Sequence, residues 1–177
     1  LRLTMQEAFA RAFVIKDFTA FGFDLKPYAL AHSFALALLG CAVAEDVDGE
    51  PTIADCGLAA WVCSLSPDAV RQKLTPPDSA AFAERLRGLD PQAEAFKLSE
   101  YFQHYRACPP RWQSEATSPR APWQWIAVAR LRRMGSPGHL AWATPLHECI
   151  ALCAADDAYN GDKSLMSDAE RKIVGVE

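Results

Sequence analysis

His104 and Cys108 stand four residues apart, and so do Cys149 and Cys153. On helices that spacing turns both members of a pair the same way, so two such pairs form a donor set for a tetrahedral zinc ion. Zinc ligands usually sit on tight Cys-x-x-Cys turns, which this chain lacks. Cysteine within an apolar helical run behaves as a small hydrophobe, and the four residues are read as packing groups, with no metal and no cofactor. A second chemistry is nucleophilic. His147-Glu148-Cys149 places a base near a thiol, but residues two apart on a helix point about 200° apart and do not face each other. His32 and Cys41 lie in an apolar helix, where a thiolate is disfavoured. Without a Gly-x-Ser-x-Gly elbow, a phosphate-binding loop or a His-Glu-x-x-His motif, the expectation is a protein that is not an enzyme.

The most informative local bias is electrostatic. Between Arg106 and Arg133 there are six arginines against one acid, Glu115, with Trp112, Trp123 and Trp125 interleaved. Arginine with tryptophan is the composition of a binding surface, either for protein hot spots or for stacked bases. The candidate partner-binding residues are Arg111, Trp112, Arg120, Trp123, Arg130 and Arg133. The stretch from Glu148 to Asp168 is acidic, with Asp156, Asp157 and Asp162, so the two regions alternatively neutralise each other within one molecule. A net charge of −4, from 18 basic and 22 acidic residues, favours a protein partner over nucleic acid.

Helices must position these groups. The expected helices are Met5–Lys16, Tyr28–Ala44, Ile53–Leu65, a short one from Pro67 to Leu74, Ala80–Arg87, Gln92–Ala107, Trp123–Met134, Pro137–Ala143 and Pro145–Tyr159 capped by Thr144. Ser167 with Glu170 opens a last one. Phe18–Tyr28 reads as extended, and residues 108–122 as a proline-rich loop. The most apolar run, Leu25–Glu45, holds the expected helix Tyr28–Ala44, which at about 17 residues falls short of the roughly 20 that span a bilayer and reads as a core helix. Its small residues Ala29, Ser33, Ala37, Gly40 and Ala44 form a ridge for close approach. Thr52 with Asp55 is a capping-box pattern that opens Ile53–Leu65, the antiparallel partner of Tyr28–Ala44.

The expectation is an all-α, compact single-domain bundle of about eight short to medium helices over residues 1–177, with 1–27 as an N-terminal arm and short helix. Six cysteines lie mostly in helix-like segments rather than in loops, which points to reduced thiols and a cytoplasmic protein. Leu1–Lys16, carrying Arg2, Glu7, Arg11 and Lys16, does not look like a secretory signal.

The order of "FGFDLKPYALAHSFALALLG", an acidic turn and "IADCGLAAWVCSLSP" comes first. With the later "APWQWIAVARLRRMG" and "TPLHECIALCAADDAYNGDKSLMS", it resembles the tail assembly chaperone-like proteins of tailed phages and prophages. The resemblance covers about Phe21 to Glu170 and brings no catalytic residues. It implies a non-enzymatic role in the bacterial host cytoplasm: transient binding of a helical tape measure protein, or another tail protein, during virion assembly. An amphipathic client helix would lie in an apolar groove. The alternatives are a helical nucleic-acid-binding or regulatory protein using residues 106–133, and a small Cys/His zinc enzyme.

Overall fold

The structure is a computed structural model, and it describes residues 5–44, 47–72, 75, 78–107 and 122–161. It is mostly helical. Among the described residues there are nine helices: α1 Met5–Phe13, α2 Leu30–Leu38, α3 Ile53–Ser64, α4 Pro67–Gln72, α5 Ser79–Leu86, α6 Pro91–Tyr105, α7 Trp123–Arg133, α8 Gly138–Ala143 and α9 Leu146–Tyr159. The strands β1 Phe18–Ala20 and β2 Phe23–Leu25 pair antiparallel, with Phe18 opposite Leu25 and Ala20 opposite Phe23. The all-α expectation is corrected by this hairpin. Ala20, Phe23 and Leu25 are buried while Thr19 and Asp24 face water, the period-two alternation of a half-buried ribbon. Phe21 and Gly22 form its turn with φ of 52° and 71°, the two positive angles that a tight turn of matching twist needs. The chain divides into two compact units: residues 16–103, and residues 1–15 with 104–177.

In the 16–103 unit, α2 packs on α3 and α4, and β2 lies against α3. Helix α2 is core, as its apolarity predicts: Leu30, Ala31, Ala35 and Leu36 are at most 3% exposed. It is much shorter than the expected Tyr28–Ala44. Gly40 adopts φ of +64°, its N–H donates to the Ala37 carbonyl, and the Cys41 N–H reaches back to Leu36. That paired arrangement is the Schellman stop, in which the left-handed residue turns the chain out of the helix. Gly40 therefore does not belong to a close-packed ridge. It is exposed, and a Cβ built there would meet nothing within 4 Å.

The N-terminus of α2 is tied to the C-terminus of α3 by one ring. His32 Nδ1 accepts from the Ala29 N–H at 3.0 Å, while Nε2 lies 2.9 Å from the Leu65 carbonyl oxygen and donates to it. Both helix ends leave backbone groups without intrahelical partners, and a neutral imidazole supplies an acceptor to one and a donor to the other. Next to this bridge the Lys26 N–H donates to the Cys63 carbonyl, and the Tyr101 hydroxyl donates to the Lys26 carbonyl, both at 2.8 Å. Tyr28, Tyr101 and Phe102 meet edge to face around it. At the start of α3 the expected capping box is present, with the Thr52 hydroxyl accepting from the Asp55 N–H and the Asp55 carboxylate accepting from the Thr52 N–H. Ser66 caps α4 through the Ala69 N–H.

Helix α5 docks through small contacts. Gly57 leaves room for the Phe82 ring, which a Cβ would strike at 2.8 Å, and Phe82 stacks on Phe23. Arg85 lies over the Phe23 ring and donates to the Gly22 carbonyl at the hairpin turn. The Phe21 N–H, in the same turn, donates to the Glu94 carboxylate, whose other oxygen is 2.6 Å from Lys97.

In the other unit, α1 and α7 each pack on α9, and α8 packs on α7. Helix α7 ends as expected at Gly135, whose φ of +98° accompanies bonds from its N–H to Arg132 and from Ser136 to Leu131. The expected cap of α9 by Thr144 is corrected. Its hydroxyl donates backwards to the Leu140 carbonyl of α8, and Pro145 precedes the first turn of α9. The 108–121 part of the proline-rich loop and the expected Ser167–Glu170 helix lie outside the described residues.

Two outcomes follow. Gly40→Ala should destabilise the protein by about 1 kcal/mol in denaturant melts, because an L side chain is disfavoured in the left-handed region. Gly40→Asn should cost less, and equal stability of all three proteins would remove the Schellman stop. Burial lowers the His32 pKa to about 4 against an ordinary 6.5. Between those values the unfolded chain binds a proton that the folded protein excludes, so stability falls as pH drops from 6.5 towards 4, by about 3 kcal/mol. His32→Gln should flatten that slope. Parallel slopes for variant and wild type over pH 4.5–6.5 would show that His32 is not the neutral bridge.

Candidate interaction surface and the Arg130 cluster

The basic helix α7 divides its residues between two tasks. Leu131 and Val128 are buried, while Trp125, Ile126, Arg132 and Arg133 are exposed. Trp125, half exposed, meets the buried Trp142 of α8 edge to face at a centroid distance of 5.0 Å. The contact braces an indole that is half exposed. Leu140 of α8 and Leu152 of α9 are also about half exposed.

Arg130 points the other way. Its Nε and Nη2 donate to Asp156 Oδ2 at 2.9 and 2.5 Å, and Nη2 also donates to Asp157 Oδ1 at 2.5 Å. All three side chains are largely covered, with 21%, 26% and 18% exposure. The two carboxylates, Asp157 first, raise the Arg130 pKa further above its already high value. A forked guanidinium shared by two carboxylates is a strong, charge-assisted arrangement. For this arginine the neutralising reading of the basic and acidic stretches describes what the side chain does.

Beside it on α9 lie Cys149, buried, and Cys153, half-buried, both free thiols. Their mutual interaction raises the Cys149 pKa and, with help from the Arg130 charge, lowers that of Cys153. Burial and the charges of Asp157 and Asp156 act against that lowering. His147 is buried and turned away from the thiols: Nδ1 accepts from the Glu148 N–H, and Nε2 faces the Val14 carbonyl at 3.4 Å. Burial lowers its pKa. His104 Nε2 also reaches the Val14 carbonyl, at 3.0 Å.

Of the six sequence-predicted residues, Trp123, Arg130 and Arg133 all lie on α7, half-buried, ion-paired and exposed respectively, whereas Arg111, Trp112 and Arg120 lie outside the described residues. Among the described residues no group of three or more His, Cys, Asp or Glu is arranged to hold a metal ion, and Cys108 is not among them. Trp125 and Ile126, which sequence reasoning did not select as site residues, carry the exposed apolar surface. Their signal was the mixed face of α7, where apolar residues outnumber the positions that packing on α8 and α9 uses. No helix among the described residues is long and apolar enough to cross a membrane. Comparison with family models, with curated proteins and with solved structures gives no match.

Removing the guanidinium while keeping the apolar stem isolates its electrostatic role. Arg130→Met should cost about 2 kcal/mol in chemical denaturation, because two partly covered like charges lose their common partner. Asp156→Asn should cost less, since Asp157 still binds the fork. A loss below about 0.5 kcal/mol for Arg130→Met would make the cluster an ordinary surface ion pair.

Proposed function

We propose that this protein is a non-enzymatic binding protein that uses the outer face of α7, and that its client is a helical segment of another protein. The observation that carries the reading is the exposed Trp125, braced against Trp142 and flanked by exposed Ile126, Arg132 and Arg133. Tryptophan and arginine are the commonest hot-spot anchors, and a side chain already held in its bound orientation loses little entropy on binding. An amphipathic helix with an acidic flank would bury its apolar stripe on Trp125 and Ile126 and set its carboxylates against the arginines. The sequence pattern from Phe21 to Glu170 narrows the proposal to a phage or prophage tail assembly chaperone-like protein acting in the host cytoplasm, with a tape measure or other tail protein as its client.

Nucleic acid is the competing partner, since arginine and tryptophan also suit stacked bases. The two are separated by pull-down of tape measure fragments in parallel with a nucleic-acid gel shift. Wild type should retain the fragments, and Trp125→Ala and Arg133→Ala should each weaken retention at least severalfold with unchanged circular dichroism. Binding of DNA or RNA that falls steeply with salt, with no fragment retained, would replace the chaperone reading by the nucleic-acid one.

A further inference from the structure

The exposed residues Trp125, Ile126, Ala129, Arg132 and Arg133 follow one another along α7 at helical spacing. At about 100° per residue they fall within one stripe roughly 120° wide. Trp125 and Arg132 lie nearly in line two turns apart, as do Ile126 and Arg133. The buried Gln124, Val128 and Leu131 lie outside that stripe, turned into the unit. The stripe is graded: bulky and apolar towards the start of α7, small at Ala129, and cationic at the end. Its two ends are about 10 Å apart along the helix axis. Arg132 lies along the start of α8, its Nε 3.7 Å from where a Cβ on Gly138 would stand. Packing as well as sequence therefore places one of the two charges.

We propose that this face reads the direction of its client. The client helix lies antiparallel to α7, with carboxylates of its own first turn against Arg132 and Arg133. A large apolar residue two turns later sits on Trp125 and Ile126. This rests on the reading of α7 as the site of a helical client, and adds a polarity and a spacing to it. Charge complementarity requires acidic residues at the arginine end, but a client could carry them at either of its own ends. Helix electrostatics makes the two choices unequal. Carboxylates in a first turn meet the partial positive charge of N–H groups without intrahelical partners, whereas in a last turn they meet partial negative carbonyls. A client with its acids at the start is thus stabilised as a helix before it binds. The molecule shows the opposite case in its own α9, where Asp156 and Asp157 near the C-terminus draw on both Nε and Nη2 of Arg130. Antiparallel docking also sets the negative end of α7 beside the positive end of the client.

Two synthetic peptides of equal composition, both alanine-rich and capped at their termini, separate the directions. One carries two glutamates in its first turn and two leucines two turns later. The other carries the leucines first and the glutamates in its last turn. In fluorescence anisotropy the first should bind about tenfold more tightly, the sum of modest helix-end terms for two carboxylates. Arg133→Glu should remove most of that preference, and lysines in place of the peptide glutamates should restore binding to the variant. A benzophenone at the N-terminus of the first peptide should crosslink to the fragment holding Met134, and one at its C-terminus to the fragment holding Trp125. Equal affinities, or crosslinks at the reverse ends, would overturn the proposed direction. With Trp125→Ala still weakening both peptides, the α7 site itself would stand. Failure of both peptides to bind would also overturn the proposal, and retention of tape measure fragments then decides whether the helical-client reading falls with it.

Discussion

A neutral imidazole at position 32 is the constraint on which the 16–103 unit depends. The start of α2 needs an acceptor for the Ala29 N–H, and the end of α3 needs a donor for the Leu65 carbonyl. One ring supplies both, and only without its second proton. Protonation would put a donor against a donor at Ala29 and a full charge among Leu30, Leu36 and Tyr28, all of them completely buried. Burying an ion there is far more costly than burying a satisfied dipole. The bridge therefore explains how a helix with no charged residue can be capped inside a core. It also fixes the end of α3, against which the Lys26 N–H and, through it, Tyr101 are placed.

The other unit solves a different electrostatic problem. Asp156 and Asp157 lie in the last turns of α9, where the exposed carbonyls already concentrate partial negative charge. Two carboxylates there are unfavourable by themselves. Arg130 of α7 offsets both, and at the same time sits near the end of its own helix, where a cation is favoured. One side chain thus relieves one helix end and suits another, and a charge that composition would count as available to a partner is committed to internal packing.

Local signals were legible, and long-range ones were not. Thr52 with Asp55, Ser66 before Pro67, and Gly135 after α7 each act within a few residues, so their chemistry can be read along the chain. Apolarity that continues through Ala42 and Val43 predicts a longer α2, whereas the helix ends at the left-handed Gly40. Residues 18–25 predict extended chain but not a hairpin, since each three-residue strand is too short to show a period. The His32 bridge spans 33 residues and the Arg130 fork 26 and 27, and no spacing rule reaches that far. Trp123 and Trp125 look alike in the sequence and differ by their position around α7, which depends on where α8 and α9 pack.

What remains on the surface of α7 after these commitments bears on the proposed partner. Removing Arg130 from the count leaves Arg132 and Arg133 at one end of the helix and Trp125 with Ile126 nearer the other. Phosphate binding scales with the number of cations that neutralise a charged backbone, and two arginines at a helix end on a chain of net charge −4 give a weak footprint of that kind. A helix-binding face needs less charge and more fixed apolar surface. It needs one rigid anchor with water excluded around it, and polar groups at its edge to set orientation. Trp125 against Trp142 has the first property and the arginine pair the second, which is why the protein-binding reading is preferred to the nucleic-acid one.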